Sequence, residues 1–160
     1  VTRVGIGYDS HRFAPGGPCL LGGVLISGDR HLAGHSDGDA VAHAITDAVL
    51  GAASLGDIGA MFSDQDPANK GRDSMEMLRA AVGRVRANGL RVQQVDVTVI
   101  AEWPKIMPSR ESMQQKLAAA LEVSPSDVGI KGKTNEGLGW IGREEGLACI
   151  AVATLVTDKA

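Results

Sequence analysis

Along residues 1–10, VTRVGIGYDS, apolar side chains fall on every second position from Val4 to Tyr8, the two-residue period of a strand. Gly and Pro punctuate residues 14–27, APGGPCLLGGVLIS, which predicts a turn leading into a second strand. Residues 31–39, HLAGHSDGD, are polar and loop-like. The period then changes. Residues 39–56, DAVAHAITDAVLGAASLG, are rich in Ala, place apolar residues at helical spacing and end on Gly, the pattern of a helix. Residues 57–72 predict a sixteen-residue loop, long enough in a compact domain to point to function.

A second helix is predicted over 73–90, with Asp73 and Glu76 at capping-box spacing and Asn88-Gly89 closing it. Residues 91–103, RVQQVDVTVIAEW, alternate cleanly and predict a strand. A third helix follows over 108–123, then a short strand over 126–134. Residues 146–157, GLACIAVATLVT, form a continuous apolar run and predict a final strand buried on both faces. No repeat, low-complexity tract or interdomain linker interrupts the chain. The order predicts one α+β domain over 1–160, in two layers. Its sheet is mixed, mostly antiparallel and four- to five-stranded, with helices on one face.

Composition narrows the function classes. A chain of 160 residues can bury a proper core. With 16 basic and 19 acidic residues and no Lys/Arg cluster, nucleic acid is a poor partner. The few aromatics (Tyr8, Phe13, Phe62, Trp103, Trp140) argue against stacking on nucleobases. No apolar run approaches the roughly 20 residues of a membrane span. Cys19 and Cys149 form no CxxC pair and read as reduced, small hydrophobic residues of a cytosol-like compartment. No signal or transit peptide is visible, which predicts an intracellular chain unless a leader has been trimmed.

Two motifs fail on context. GLGWIG at 137–142 matches GxGxxG, but the β-rich ACIAVATLV follows where a dinucleotide fingerprint needs a long helix. Ser54 in GAASLG sits at a helix end, without the strand-to-helix turn of a nucleophile elbow.

A metal site is the stronger candidate. Asp9 and His11 lie two apart in a strand and emerge on the same face. His35 lies in the loop, and Asp39, His43 and Asp47 recur at four-residue spacing along one helix face. Asp-x-His plus one helical His supplies two nitrogens and one oxygen, which suits tetrahedral Zn²⁺ with a position left open. Spacing alone also permits a core-bonded His43 and a turn-capping Asp9. His31, beside Arg30, reads as solvated. KGKTNEGLG at 131–139 gathers Gly-freed backbone N–H groups, Lys131, Lys133 and a Thr hydroxyl, a composition able to cradle anions. Glu136 beside it suits a hard cation such as Mg²⁺, and Lys105 stands between two prolines in AEWPKIMP. An ordinary Gly-rich turn with solvated lysines is the alternative.

Taken together, GYDSHRF, LAGHSDGDAVAHAITDA, LGDIGAMFSDQD, AEWPKIMP and KTNEGLGWIGREEGLA, in this order and spacing, resemble the 2-C-methyl-D-erythritol 2,4-cyclodiphosphate synthase family over essentially the whole chain. The resemblance implies that Asp9, His11 and His43 bind Zn²⁺ and that Glu136 binds Mg²⁺ or Mn²⁺. It implies a role for His35 and Ser36 near the phosphates, with His35 and Thr134 as the catalytic residues. Asp57 and Gly59 would hold the methylerythritol hydroxyls. Ala101, Pro104, Lys105, Ile106, Met107, Gly132, Lys133 and Thr134 would take the cytidine and its diphosphate, Lys133 standing where some members have Thr. Trp140 and Arg143 complete the implied substrate contacts.

The family assembles as a homotrimer with active sites shared between adjacent subunits. Its apolar central cavity can take an isoprenoid diphosphate, and Arg143 matches the arginine at the mouth. The resemblance further implies cytoplasmic localisation in a bacterium, or the plastid stroma if a transit peptide was removed. The implied substrate is 4-diphosphocytidyl-2-C-methyl-D-erythritol 2-phosphate, whose 2-phosphate attacks the β-phosphorus and releases CMP in the methylerythritol phosphate route to isoprenoids. Nucleophile and leaving group are both phosphate anions, so no general base is required. The rival reading is a metal-dependent module that binds a nucleotide or isoprenoid diphosphate without turnover.

Overall fold

Strand β1 (Thr2–Pro15) outruns its predicted end by five residues, which puts Asp9 and His11 inside the sheet. The computed structural model describes residues 1–159. After β1 come a hairpin of β2 (Cys19–Leu21) and β3 (Val24–Ile26), and a three-residue edge strand, β4 (Arg30–Leu32), which overlaps the start of the segment predicted as loop. Gly22 and Gly23 connect β2 to β3 with φ of 57° and 76°, the left-handed pair that a tight hairpin turn demands.

Helix α1 (Ala40–Ala52) follows, then a single turn, α2 (Ile58–Met61), and a 3₁₀ turn over Pro67–Asn69. These two turns interrupt the predicted sixteen-residue loop, because Asp57 and Asp66 cap them locally. Helix α3 (Ser74–Ala87) starts where Asp73 accepts from the Met75 amide and ends at Asn88-Gly89, as its pattern predicts. Then come β5 (Leu90–Ile100), α4 (Arg110–Leu121), β6 (Val128–Lys133), the one-turn α5 (Gly139–Gly142) and β7 (Gly146–Thr157).

The main sheet has the order β4-β1-β7-β5-β6. Only the β5–β6 pair in it is parallel, and α4 supplies its crossover. This is the mixed, mostly antiparallel, five-stranded α+β arrangement that the element order predicts.

Helix α1 lies across β1, β7 and β5 and is buried except at Asp47 and Gly51. Its Ala44, Ala48 and Ala52 meet Gly5 and Gly7 of β1, so helix and strand backbones come unusually close. That contact carries His43 to the strand holding Asp9 and His11. The predicted two-sided burial of β7 is not met in the single chain. Val4, Ile6 and Tyr8 of β1 with Ile150 and Val152 of β7 are exposed on the sheet face away from α1, which no helix among the described residues covers.

Candidate functional site

The four-residue spacing of Asp39, His43 and Asp47 resolves into three separate jobs. Asp39 is the N-cap of α1, fully buried, and its carboxylate accepts from Ala42 N at 3.1 Å and from Gly22 N and Gly23 N at 2.8 Å each. Asp47 accepts from Ile58 N at 2.7 Å and so anchors α2. His43 alone of the three meets Asp9 and His11. The predicted shared face is therefore not a ligand row: each aspartate is occupied by helix-end N–H groups.

Asp9 Oδ2 lies 2.8 Å from His11 Nε2 and 3.1 Å from His43 Nδ1, and the two nitrogens are 3.3 Å apart. Three donors at about 2.0–2.1 Å from a tetrahedral ion would be separated by about 3.3 Å, so the donor set fits a divalent metal. The far nitrogens are engaged as well. His11 Nδ1 donates to the Ala33 carbonyl at 2.8 Å, which leaves the Nε2 lone pair facing the other two donors. Asp9, His11 and His43 thus form a site able to bind a divalent metal, and Asp9, in the middle of β1, caps no turn.

The electrostatics agree with the geometry. Burial alone would raise the Asp9 pKa, but hydrogen bonds and charge from His11 and His43 outweigh it and hold the carboxyl below its ordinary value. Burial pulls His11 down, but the hydrogen bond and charge of Asp9, the bond to the Ala33 carbonyl and the charge of Asp39 together outweigh it, so its pKa is raised. A divalent ion would take the place of that proton.

Of the remaining sequence candidates, Ser36 stands closest, its Oγ 3.0 Å from His43 Nε2. His35 is exposed in the same loop, where its carbonyl accepts from Gly71 N. Asp57 is exposed and caps α2 through Ala60 N at 2.8 Å, with Gly59 beside it. His31 is not merely solvated: its Nδ1 lies 2.6 Å from the Gly16 carbonyl and ties β4 to the turn after β1. Trp140 lines a 610 Å³ cleft with His11, Phe13 and Glu145, and Arg143 pairs with Glu145 at 2.7 Å.

A second cavity, of 190 Å³, opens beyond the ends of β5 and β6. It brings together Ala101, Pro104, Lys105, Ile106, Met107, Gly132, Lys133 and Thr134, eight residues drawn from two segments some thirty positions apart. Glu136 follows in the exposed turn after β6, with its amide 3.3 Å from Thr134 Oγ1.

The sequence profile of the YgbB family matches residues 2–156. This chain belongs to the YgbB family. A relative from Gemmatimonas aurantiaca named 2-C-methyl-D-erythritol 2,4-cyclodiphosphate synthase is 65% identical over 156 residues, covering 98% of this chain and 94% of its own. The solved structure of the bifunctional IspDF from Campylobacter jejuni superposes with a TM-score of 0.95 at 40% identity, over 98% of this chain and 42% of that longer protein. The CDP complex of IspF from Plasmodium falciparum superposes with a TM-score of 0.86 at 34% identity, over 99% of this chain and 97% of that one.

Two residues at or near the second cavity of this YgbB-family chain have roles that the motif reading does not assign. Arg110, the first residue of α4, lines the cavity beside Lys105 and Lys133, and no acidic residue is among the described residues that line it. Its Nε is buried without a hydrogen-bond partner among the described residues. A cation at a helix N-terminus, against the dipole, is the signal that marks it. Glu102 accepts from Asn135 N at 3.2 Å and Gly137 N at 2.9 Å, and so clamps the turn that carries Glu136. Nothing in the local spacing of AEWPKIMP announces that reach.

Proposed function

We propose that the chain converts 4-diphosphocytidyl-2-C-methyl-D-erythritol 2-phosphate to 2-C-methyl-D-erythritol 2,4-cyclodiphosphate with release of CMP, a phosphorus–oxygen lyase reaction of the methylerythritol phosphate route to isoprenoids. The observation that carries this is the Asp9–His11–His43 site in a chain so similar, end to end, to a relative of that name. In the reaction an oxygen of the 2-phosphate forms a bond to the β-phosphorus. The bond from that phosphorus to the bridging oxygen breaks, and CMP leaves with the electron pair. No net proton is transferred, so the task is charge neutralisation and in-line placement.

When bound, Zn²⁺ on Asp9, His11 and His43 and Mg²⁺ or Mn²⁺ on Glu136 supply positive charge to the diphosphate oxygens. The chain's own groups do the placing. Lys105, Lys133 and Arg110 give the second cavity the charge to hold a nucleotide diphosphate, and Gly132 admits close approach of the backbone. The Thr134 hydroxyl orients the β-phosphate, while His35 and Ser36 approach the phosphates from the loop before α1. Asp57 Oδ1 is used by the α2 cap, which leaves its other oxygen for a methylerythritol hydroxyl.

The uncovered apolar face of β1 and β7 supports assembly as a homotrimer, since exposed apolar surface of this kind marks an interface. In that assembly an isoprenoid diphosphate would occupy the central cavity with Arg143 at its mouth. Among the described residues no helix is long and apolar enough to cross a membrane. Kinship with bacterial relatives supports a bacterial cytoplasmic enzyme as part of this proposal. The test is turnover: with substrate, Zn²⁺ and Mg²⁺, ³¹P NMR should record CMP and the cyclic diphosphate in equal amounts. Tight nucleotide binding without CMP release would leave only a binding module.

A further inference from the structure

His43 is held from behind by two side chains that nothing in the motif reading assigns. Its Nδ1 faces Asp9 and His11, and its Nε2 lies 2.7 Å from Ser74 Oγ. Ser74 is the first residue of α3 and is fully buried. Its hydroxyl donates in turn to Asp37 Oδ1, and its backbone N–H donates to Asp37 Oδ2 at 2.9 Å. Asp37 Oδ1 also accepts from Asp39 N at 3.1 Å, which ties it to the N-cap of α1.

The direction of this chain of bonds is forced. An ionised carboxylate only accepts, so the single Ser74 hydroxyl proton points to Asp37. Ser74 Oγ then has lone pairs alone to offer His43, and Nε2 must carry the hydrogen. A neutral imidazole protonated at Nε2 has its lone pair on Nδ1, the nitrogen that faces the other two ligands. We infer that Ser74 and Asp37 are positioning residues that fix His43 in its metal-binding tautomer and ring orientation, through an Asp37–Ser74–His43 relay. Ser36 Oγ, 3.0 Å from the same nitrogen, takes a lesser share of that hydrogen.

The inference rests on the metal-site reading above. It adds that α3, the helix behind the site, is part of the metal's support. His11 is served by a backbone carbonyl, which no substitution removes. His43 depends on side chains from the loop before α1 and from the first turn of α3.

The test uses the full chain with imidazole ¹⁵N labelling and Zn²⁺ as the probe. In the wild type, metal-free and Zn²⁺-loaded, the long-range ¹H–¹⁵N spectrum should find a hydrogen on His43 Nε2. Ser74→Ala should lower Zn²⁺ affinity, measured by chelator competition, by about 10- to 100-fold, the usual effect of deleting an outer partner of a ligating histidine. Asp37→Asn should follow it, Ser74→Thr should restore most of the affinity, and Ser36→Ala should cost less than Ser74→Ala. A His43 with no hydrogen on Nε2, an unchanged affinity in Ser74→Ala, or the reverse ranking of the two serines would overturn the relay while leaving the metal site standing. Should Ser74→Ala not fold, the wild-type spectrum decides. A wild type that binds no Zn²⁺ would overturn the site itself, and the relay with it.

Discussion

Gly7 sets how closely α1 can lie on β1, and enlarging it tests whether that spacing builds the metal site. A Cβ at Gly7 would sit 1.9 Å from the Ala44 carbonyl oxygen and 2.8 Å from Ala48 N. Ordinary contact begins at 3.4 Å, so Gly7→Ala must push the helix off the strand by about 1.5 Å. Both colliding groups are backbone, and no rotamer change relieves them. Overpacking of this kind costs about 1–3 kcal/mol, occasionally more. At about 2–4 °C per kcal/mol for a chain of this size, the melting temperature should fall by roughly 2–12 °C.

The site should suffer separately, because Ala44 adjoins His43 and metal–ligand distances tolerate only about 0.2 Å. Zn²⁺ affinity should drop by at least about tenfold. Gly5→Ala meets the same obstruction farther along the helix, 2.1 Å from the Ala48 oxygen and 2.4 Å from Ala52 N. It should lose similar stability and less Zn²⁺. Gly51→Ala is the control: its nearest neighbour is 4.0 Å away, and helix propensity should make it neutral or more stable by up to about 1 kcal/mol. Thermal melts and chelator competition on the three variants measure both quantities. A Gly7→Ala protein with wild-type melting and full Zn²⁺ affinity would refute the reasoning, as would equal loss of Zn²⁺ in the Gly5 and Gly7 variants.

Glu136→Gln should retain Zn²⁺ but need more Mg²⁺ for turnover, an amide being the poorer ligand for a hard cation; an unchanged Mg²⁺ titration removes Glu136 from the metal shell. Burial raises the Cys19 thiol to about 11 and the Cys149 thiol well above its ordinary value. Both should resist a thiol reagent at pH 8 until the chain is unfolded, and stability should decline from about pH 9 upward, where unfolded thiols ionise and buried ones do not. Reaction of the native protein at pH 8 would contradict the burial. Co-expression of inactive Asp9→Ala and Glu136→Ala chains should restore about one quarter of wild-type turnover if sites are shared around a ring of three, and none if each chain builds its own.

What the sequence disclosed was periodic or local. Two-residue alternation predicts β1 and β5, and Ala-rich helical spacing predicts α1 within a few residues. Asp9-x-His11 is legible because strand geometry alone puts both side chains on one face. His43 is a different case: its spacing fits Asp39 and Asp47 equally well, and the structure separates them by which helix ends need N–H acceptors. Ser74 and Glu102 were illegible because each acts across a sequence gap of more than thirty residues, Ser74 on His43 and Glu102 on Asn135 and Gly137. The apolar run of β7 misled because hydrophobicity records that a face must be covered, not whether the same chain covers it. Ile150 and Val152 are apolar and exposed in the single chain.

That uncovered face and the separation of the two cavities both bear on the proposed assembly. The strand registers place Asp9 opposite Cys149, Cys149 opposite Val99, and Val99 opposite Gly132, in one row across the sheet. Three strand spacings of about 4.8 Å separate the metal site from the second cavity by roughly 14 Å. Cys149 and Val99 fill the interval and are fully buried, as is Leu147, which pairs with His11. A substrate cannot run from one cavity to the other through that packed core. It has to reach the metal from outside, where the 610 Å³ cleft at His11 and Trp140 opens. Tyr8 and Ile150, on the opposite face of the same two strands, hold apolar surface that a second copy would cover. Docking a neighbour there would bury that surface, and in the assembly proposed above the neighbour's cationic cavity would supply the nucleotide half of the site.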